Sequence, residues 1–534
     1  MLLNYKSIKE NKTELENKGY SLPTFDIEKV VSNTKENPRW IHFGGGNIFR
    51  GYVADLCQDL LNQNLLDTGI VVVETFDDEI IEKCYKPFDN LTLVALMKSN
   101  GDLIKKIVAS ISDSLILNKD RDLLKKLFTK ESLQMVSFTI TEKGYAIKNI
   151  DGSFLPIIEK DINGNVDEAS HAVSFLVSLL YERFKNGAYN IALVSMDNCS
   201  ANGKKLKDAV LTVASKWVEL GKLDKEFLSY LEDESKVSFP WSMIDKITPR
   251  PSEVVEEKLK ADGFEGIAPI QTSKNTFIAP FVNAEVAKYL VIEDDFPNGR
   301  PALEKAGVYL TTRETVNKTE TMKVTTCLNP LHTALAVFGC ILGYKSISEE
   351  MKDAELLKLV TKMGYEEGMP VVVDPKIIDP KSFIKEVIEE RLPNPFIPDA
   401  PQRIATDTSQ KVAIRFGETI KSYVKSDSLD AKNLVCIPLV LAGWLRYILG
   451  VDDKGNNFER SQDPMLEELS NVLSNIKVGD KSSYNGELKQ LLNNDKLFGI
   501  DLIKIGLSDK IEEIFLKMIE GVDSVRNTLK EYLN

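Results

Sequence analysis

A lysine, an asparagine and a histidine stand within ten residues of one another in MKVTTCLNPLHTALAVFGC, residues 322–340. Asn329 ahead of Pro330 reads as a helix start, with asparagine as the N-cap and proline at the first helical position, where its missing N–H costs nothing. His332 then falls in the first turn, and Asn329 and His332, three apart, share one side of it. With the Asn329 side-chain oxygen capping the helix, its NH2 is left to donate outward, toward an oxyanion or polarised carbonyl at the positive end of the helix dipole. Lys323 precedes this helix on an irregular segment. A lysine partly desolvated there would have its pKa lowered enough to exchange a proton near neutrality. Together these residues compose a metal-free carbonyl/alcohol site: Lys323 as acid or base, Asn329 as oxyanion donor, His332 as orienting hydrogen-bond partner.

A second stretch, WIHFGGGNIFRGYVADLC at 40–57, runs in the order that dinucleotide binding needs: apolar strand, glycine turn, amphipathic helix. Gly44, Gly45 and Gly46, with Asn47 and Ile48 opening the helix, would let the backbone approach a pyrophosphate held by helix N–H groups. The pattern departs from GxGxxG. Phe49 stands where the third glycine would be and Gly51 follows two residues later, so the helix must pack on its strand differently. The next apolar run, GIVVVET at 69–75, carries Glu74 twenty-three residues beyond Gly51, near the spacing of about 20 at which an acid meets the adenosine ribose hydroxyls. A carboxylate there would repel the extra phosphate of NADP, which makes NAD (NADH) the expected cofactor; Asp77 is the alternative acid.

These sites need elements to hold them. WIHF (40–43), GIVVVET (69–75), LQMVSFTIT (133–141) and NIALVSMD (190–197) read as buried strands, separated by helical patterns such as 48–61, where Phe49, Val53, Leu56 and Leu60 recur on one face. That rhythm predicts a doubly wound parallel sheet. After the turn-rich DDFPNGRP (294–301) long helical patterns take over: 331–343, 349–364, 434–449, 464–476, and 511–533 with Ile511, Ile514, Phe515, Met518, Val522, Val525 and Leu529 on one stripe. The expected fold class is α/β, a Rossmann-type doubly wound sheet over 1–303 followed by a mainly α-helical substrate domain over 304–534.

Composition narrows the function classes. Acidic residues outnumber basic ones, 80 to 67, with no basic patch, which excludes nucleic acid as a partner. The six cysteines are scattered, with no CxxC and no zinc-ligand spacing, as suits a reducing cytoplasm. The N-terminus is too charged for a signal peptide, and the apolar run LVCIPLVLAGWL (434–445) is shorter than a membrane span, so a cytoplasmic protein with no membrane insertion is expected.

Six motifs in order, HFGGGNIFRGY, TITEKGY, SMDNCSANG, FPWSMIDKITPR, KVTTCLNPLHTALA and RLPNPFIPDAPQRIATDTSQK, give the chain its resemblance to the long-chain mannitol dehydrogenase family, which includes mannitol 2-dehydrogenase and the fructuronate (mannonate oxidoreductase) and tagaturonate reductases. The resemblance implies a Rossmann-type domain, a helical domain, and a site between them that works without metal, with Lys323 as general acid/base beside Asn329 and His332. It also implies Asn198 on the oxyanion side, with Asn202 its neighbouring competitor, Asp245 lining the site, and Arg391, Asn394 and Lys411 contacting substrate. The family has four residues between its lysine and asparagine; this chain has five, so the segment must bulge by one residue or displace the lysine. The NPLHTALA form resembles the mannonate oxidoreductase branch. The expected reaction is NADH-dependent reduction of D-fructuronate to D-mannonate, with an arginine, Arg391 or Arg250, clamping the sugar carboxylate. The expected partner is a small sugar acid or polyol, and the expected state a monomer or small homo-oligomer.

Overall fold

The computed structural model of the protein describes residues 1–149 and 151–534 and divides into two compact units, Met1–Asn317 and Lys318–Asn534.

The first unit is built on six strands: β1 (Trp40–Phe43), β2 (Ile70–Glu74), β3 (Ile111–Ile116), β4 (Met135–Phe138), β5 (Ile191–Ser195) and β6 (Val237–Ser238). They lie in the order β3-β2-β1-β4-β5-β6 and every neighbouring pair is parallel. This is the dinucleotide-binding order, in which the crevice opens at the carboxyl ends of β1 and β4, where the winding reverses. Successive side chains feed two cores. Ile41, Phe43, Val71, Val73, Val136, Phe138 and Leu193 pack against helices Arg121–Phe128, Ala172–Lys185 and Asn202–Glu219. Trp40, Ile70, Val72, Met135, Ala192 and Val194 pack against residues 49–61 and helix Asp78–Cys84. Because both faces are covered, the strands read as continuous apolar runs rather than alternating ones.

Four of the six strands coincide with the expected runs. β3 (ISDSLI) and β6, only two residues long, have no such run and take their places from pairing. A second sheet, in the order Tyr20–Ser21, Leu103–Val108, Thr92–Met97, Phe281–Glu285, adds an antiparallel component that the apolar rhythm does not announce. Strand Tyr309–Thr311 still pairs with Tyr289–Glu293, so the chain remains in the first unit past the turn-rich 294–301 segment and the division falls after Asn317 rather than 303.

The second unit is helical. It is entered through a run over residues 313–342 that begins in the last residues of the first unit and is made of helix Arg313–Met322, a π-helical turn Lys323–Cys327 and helix Asn329–Leu342. The run is long and apolar enough to cross a bilayer, but most of its apolar window is buried in the protein. The 434–445 segment becomes helix Cys436–Ile448, buried along its whole length and packed on Asn329–Leu342 and Ser508–Met518. Two expected helices are each divided. The 349–364 pattern splits into Ile347–Glu350 and Ala354–Lys362, because Asp353 accepts the amides of Glu355 and Leu356 at 3.0 and 3.1 Å and starts a new helix. The 511–533 stripe breaks at Gly521 (φ +150°) into Ser508–Met518 and Ser524–Leu533, leaving Val522 62% exposed rather than on the core face.

Candidate active site

In the first unit the glycine turn leaves β1 at Gly44, whose φ is +108° and whose Cβ, if present, would overlap the carbonyl oxygen of Thr139. Only glycine fits there. The Gly45 amide donates to Glu74 Oε2 at 2.8 Å, and its carbonyl accepts the Tyr85 hydroxyl at 2.7 Å. Gly46 is different: a Cβ would meet nothing within 4 Å, and among the described residues the amides of Gly46, Asn47 and Ile48 make no hydrogen bond within the protein. Open space in front of unsatisfied helix N-terminal amides is what a dinucleotide pyrophosphate requires, so the residues fit NAD.

The departure from GxGxxG also has a structural account. Phe49 is buried and stacks on His42 with ring centroids 4.3 Å apart, and the helix takes a π-helical turn over Phe49–Val53 before becoming α-helical at Ala54–Asn62. Gly51 supplies a close approach to another strand, since its Cβ would lie 2.8 Å from Val282 Cγ1. His42 is held between Ser137 Oγ (2.6 Å) and Thr139 Oγ1 (2.8 Å), and burial pushes its pKa down to about 3, so it is a neutral structural ring. Arg50, fully buried, donates to Asn47 Oδ1 at 2.8 Å and to the Ala279 carbonyl at 2.6 Å, fixing the Asn47 side chain.

The acid expected for the ribose is placed otherwise. Glu74 is buried; Oε1 accepts the amides of Thr75, Phe76 and Asp77 (3.0, 2.8 and 3.1 Å) while Oε2 holds Gly45. Burial raises its pKa against the pull of these four amides. Its charge is turned inward to shape the loop. Asp77 is buried too, accepting the Thr272 hydroxyl at 2.6 Å and the Glu79 amide at 3.3 Å. Glu74 and Asp77 do lie where β2 delivers its loop, but backbone amides and the Thr272 hydroxyl claim their carboxylates.

At the carboxyl ends of β4 and β5, Asp197 accepts the amides of Ile140 (3.0 Å) and Thr141 (2.9 Å) and the Tyr145 hydroxyl (2.5 Å), which also meets Ser195 Oγ at 2.8 Å. These bonds hold Thr141, a β-branched residue, at φ +64°, a conformation that costs on the order of 1–3 kcal/mol. Asn198 follows Asp197 and is exposed. Asn202 is excluded from an oxyanion role: its NH2 donates to the Asp197 and Ser242 carbonyls and its oxygen accepts the Gly203 and Ser242 amides. Asp245, buried, ends strand Ser242–Asp245. Arg250 is exposed and stacks over Phe277 at 4.3 Å.

In the second unit the five-residue gap is explained by the π-helical turn. Lys323–Cys327 is wound with one residue more than an α turn, closed by Leu328 N–H to Lys323 O at 3.1 Å, so the extra residue is absorbed as a bulge. Lys323, at its head, is buried. Asn329 is the first helical residue, and position N-cap falls to Leu328 with no side-chain cap, correcting the expected capping. The consequence favours chemistry: among the described residues the Asn329 side chain makes no hydrogen bond, leaving its NH2 and its oxygen uncommitted. His332 Nε2 lies 3.3 Å from Asp399 Oδ2, off the N–H axis, so the carboxylate acts on the ring through charge more than through a full hydrogen bond. Burial pushes the Asp399 pKa up, but His332 and Arg403 outweigh it and hold the carboxyl below its ordinary value.

Beside this turn, Arg415 donates to Thr333 Oγ1, and Thr333 donates to the Asn329 carbonyl at 2.9 Å. Among the described residues Arg415 has no carboxylate partner; burial lowers its pKa to about 10, leaving it cationic at neutrality. Lys411, bonded to the Thr406 carbonyl, has its pKa lowered by burial and then by the nearby charge of Arg415. Arg391 is buried on a π-helical turn, Val387–Arg391, and Asn394 spends its side-chain oxygen on the Phe396 amide at 3.0 Å. Asp399, Arg403 and Arg415 escaped the sequence reading, although Asp399/Arg403 and Lys411/Arg415 both carry the i,i+4 spacing of facing side chains. No group of three metal-ligating side chains occurs among the described residues.

Comparison with known proteins gives concordant results. The family model described as the mannitol dehydrogenase Rossmann domain matches residues 38–305, and that of the mannitol dehydrogenase C-terminal domain matches 315–518. A D-mannonate oxidoreductase of Thermotoga maritima is 53% identical over 536 residues, 99% of each chain. Among solved structures, a D-sorbitol dehydrogenase in substrate-free form matches with a TM-score of 0.82 at 25% identity, over 99% of this chain and 100% of that one. The Pseudomonas fluorescens mannitol 2-dehydrogenase ternary complex with NAD and D-mannitol matches with a TM-score of 0.72 at 25% identity, over 100% and 99%.

Proposed function

Because the chain belongs to the mannitol dehydrogenase family, we propose that it is the NAD-dependent oxidoreductase that interconverts D-fructuronate and D-mannonate. The observation that carries this reading is the 53% identity, spread over 99% of both chains, with a protein named D-mannonate oxidoreductase.

NADH, when bound, supplies the hydride to the substrate ketone. As negative charge develops on the ketone oxygen, the uncommitted Asn329 NH2 donates a hydrogen bond to it. Lys323 then gives a proton from Nζ to that oxygen, which completes the alcohol; in the reverse direction the neutral amine takes it back. Burial of Lys323 excludes competing water from this transfer. Asp399 beside Nε2 favours the tautomer of His332 with its proton there, so Nδ1 is the acceptor that orients a substrate hydroxyl.

A sugar acid suits this site better than a neutral polyol. Arg415 and Lys411 bring two cations to one region, and Arg415 has no anion of its own among the described residues. A planar guanidinium binds a carboxylate bidentately. This gives the carboxylate clamp to Arg415 in preference to the expected Arg391 or Arg250.

The test is NADH consumption with D-fructuronate, D-tagaturonate and D-fructose in parallel. D-Fructuronate is expected to give the highest kcat/KM. Preference for D-tagaturonate would reassign the substrate within the uronates, and turnover of D-fructose alone would place the protein with the mannitol 2-dehydrogenases.

A further inference from the structure

The exit of β2 holds a cation where the sequence predicts an anion. In a doubly wound dinucleotide fold the adenosine ribose lies at this strand end, where an acid excludes the 2′-phosphate of NADP and a base nearby accepts it. Here the acid, Glu74, is buried with both oxygens on backbone amides. The base comes from far along the chain. A hairpin of strands Ile270–Gln271 and Phe277–Ile278 reaches back to the loop after β2 and is latched there. The Thr272 hydroxyl donates to Asp77 Oδ2 at 2.6 Å and the Ser273 amide to Glu79 Oε1 at 3.0 Å. Between them and the strand end, Lys274 Nζ donates to the Phe76 carbonyl and sits 4.5 Å from the centroid of the Phe76 ring, itself 65% exposed.

The charges around Lys274 leave it as the available one. Glu79 is paired with Lys83, Asp78 with Lys119 at 3.2 Å, and Asp77 is buried on Thr272. Among the described residues Lys274 has no carboxylate partner, and an ammonium with one N–H on a carbonyl keeps two more donors. Thr75, half-buried between Glu74 and Phe76, has a hydroxyl with no hydrogen bond among the described residues.

We propose that Lys274, with the Thr75 hydroxyl beside it, forms a 2′-phosphate subsite, so that the protein takes NADP(H) in addition to NAD(H). This rests on the reading of Gly44–Gly46 as the dinucleotide turn. It goes beyond that reading by removing the electrostatic barrier that the Glu74 spacing implied and naming the residue that replaces it.

Binding without substrate tests it directly. NADH and NADPH are titrated by their fluorescence into the intact protein and into K274A, K274R and K274E. The unaltered protein is expected to bind NADPH within about tenfold of NADH. K274A should weaken NADPH about five- to tenfold, the scale of one charge-assisted phosphate contact, and leave NADH unchanged. K274R should keep NADPH binding and K274E should remove it, and added salt should weaken NADPH more than NADH. Equal weakening of both nucleotides by K274A would overturn the proposal, since Lys274 would then only latch the hairpin. So would NADH binding with no NADPH binding. If neither nucleotide bound, the dinucleotide reading itself would fall, which the NADH titration reports separately.

Discussion

Glu350 is fully buried beneath the helix that carries Asn329 and His332, and neither carboxylate oxygen has a hydrogen-bond partner among the described residues. It packs so closely on Gly339 that a Cβ there would overlap Oε1. Burial, followed by the charges of Asp353 and Glu349, raises its pKa from 4.5 to about 9. At neutral pH the native protein holds Glu350 protonated while the unfolded chain holds it ionised. The sign follows: a raised native pKa gives stability that is fully present below the unfolded pKa and is lost as pH rises toward the native one. Each pH unit in that window removes about 1.4 kcal/mol, so the deficit reaches about 3 kcal/mol at pH 7 and about 6 kcal/mol by pH 9, upper figures for a rigid site. E350Q keeps the shape and cannot titrate. The assay is the unfolding midpoint of both proteins at half-unit steps from pH 5 to 9.5, read as a difference so that all other titrating groups cancel. The E350Q protein should gain on the unaltered one steadily up to about pH 9 and then run parallel to it. Parallel curves throughout would refute the burial argument, since they would mean that Glu350 is ionised in the fold as it is in the unfolded chain.

Three further outcomes follow from the site. K323A should lower turnover about 10²–10⁴-fold, the range for a general acid/base, with NADH binding measured by fluorescence unchanged. Deleting Val324 should convert the π-helical turn to an α turn, rotate Lys323 about 100° relative to Asn329, and abolish turnover while circular dichroism stays helical; full activity in that variant would remove the bulge from the mechanism. G44A should fail to accumulate folded protein, because its Cβ has no room beside Thr139 and its φ is positive, whereas G46A should fold and lose NADH affinity at least tenfold, since its Cβ enters open space in front of the helix amides; equal behaviour of the two would contradict the geometry of the turn.

The chain announces what is local in sequence. Four apolar runs with glycine and helix signals between them suffice for a parallel doubly wound sheet, because a strand covered on both faces must be apolar throughout. The Lys323, Asn329 and His332 set is legible for a similar reason: residues within ten positions of one another on a helical run have their relative placement set by helix geometry, to within one residue. Even the fault in that geometry, the fifth residue in the gap, is visible as a count.

What needed the tertiary structure is whatever depends on partners far away in sequence. A count of five cannot say whether the chain bulges or the lysine moves; the π-helical turn answers it, because packing on both sides fixes the helix ends. Glu74 stands at the right spacing for a ribose acid, yet the amides of its own loop claim it, and the side chain that reaches the strand exit is Lys274, two hundred residues on. Asn202 and Asn198 look equivalent in SMDNCSANG, and only the return of strand Ser242–Asp245 commits the first to structure. The i,i+4 spacing to Lys411 is the one mark Arg415 carries in sequence; its enclosure beside Thr333, without a carboxylate partner among the described residues, is a property of the folded surroundings. Local spacing determines which side chains can share a turn, and burial decides which of them keep a donor or a charge to offer.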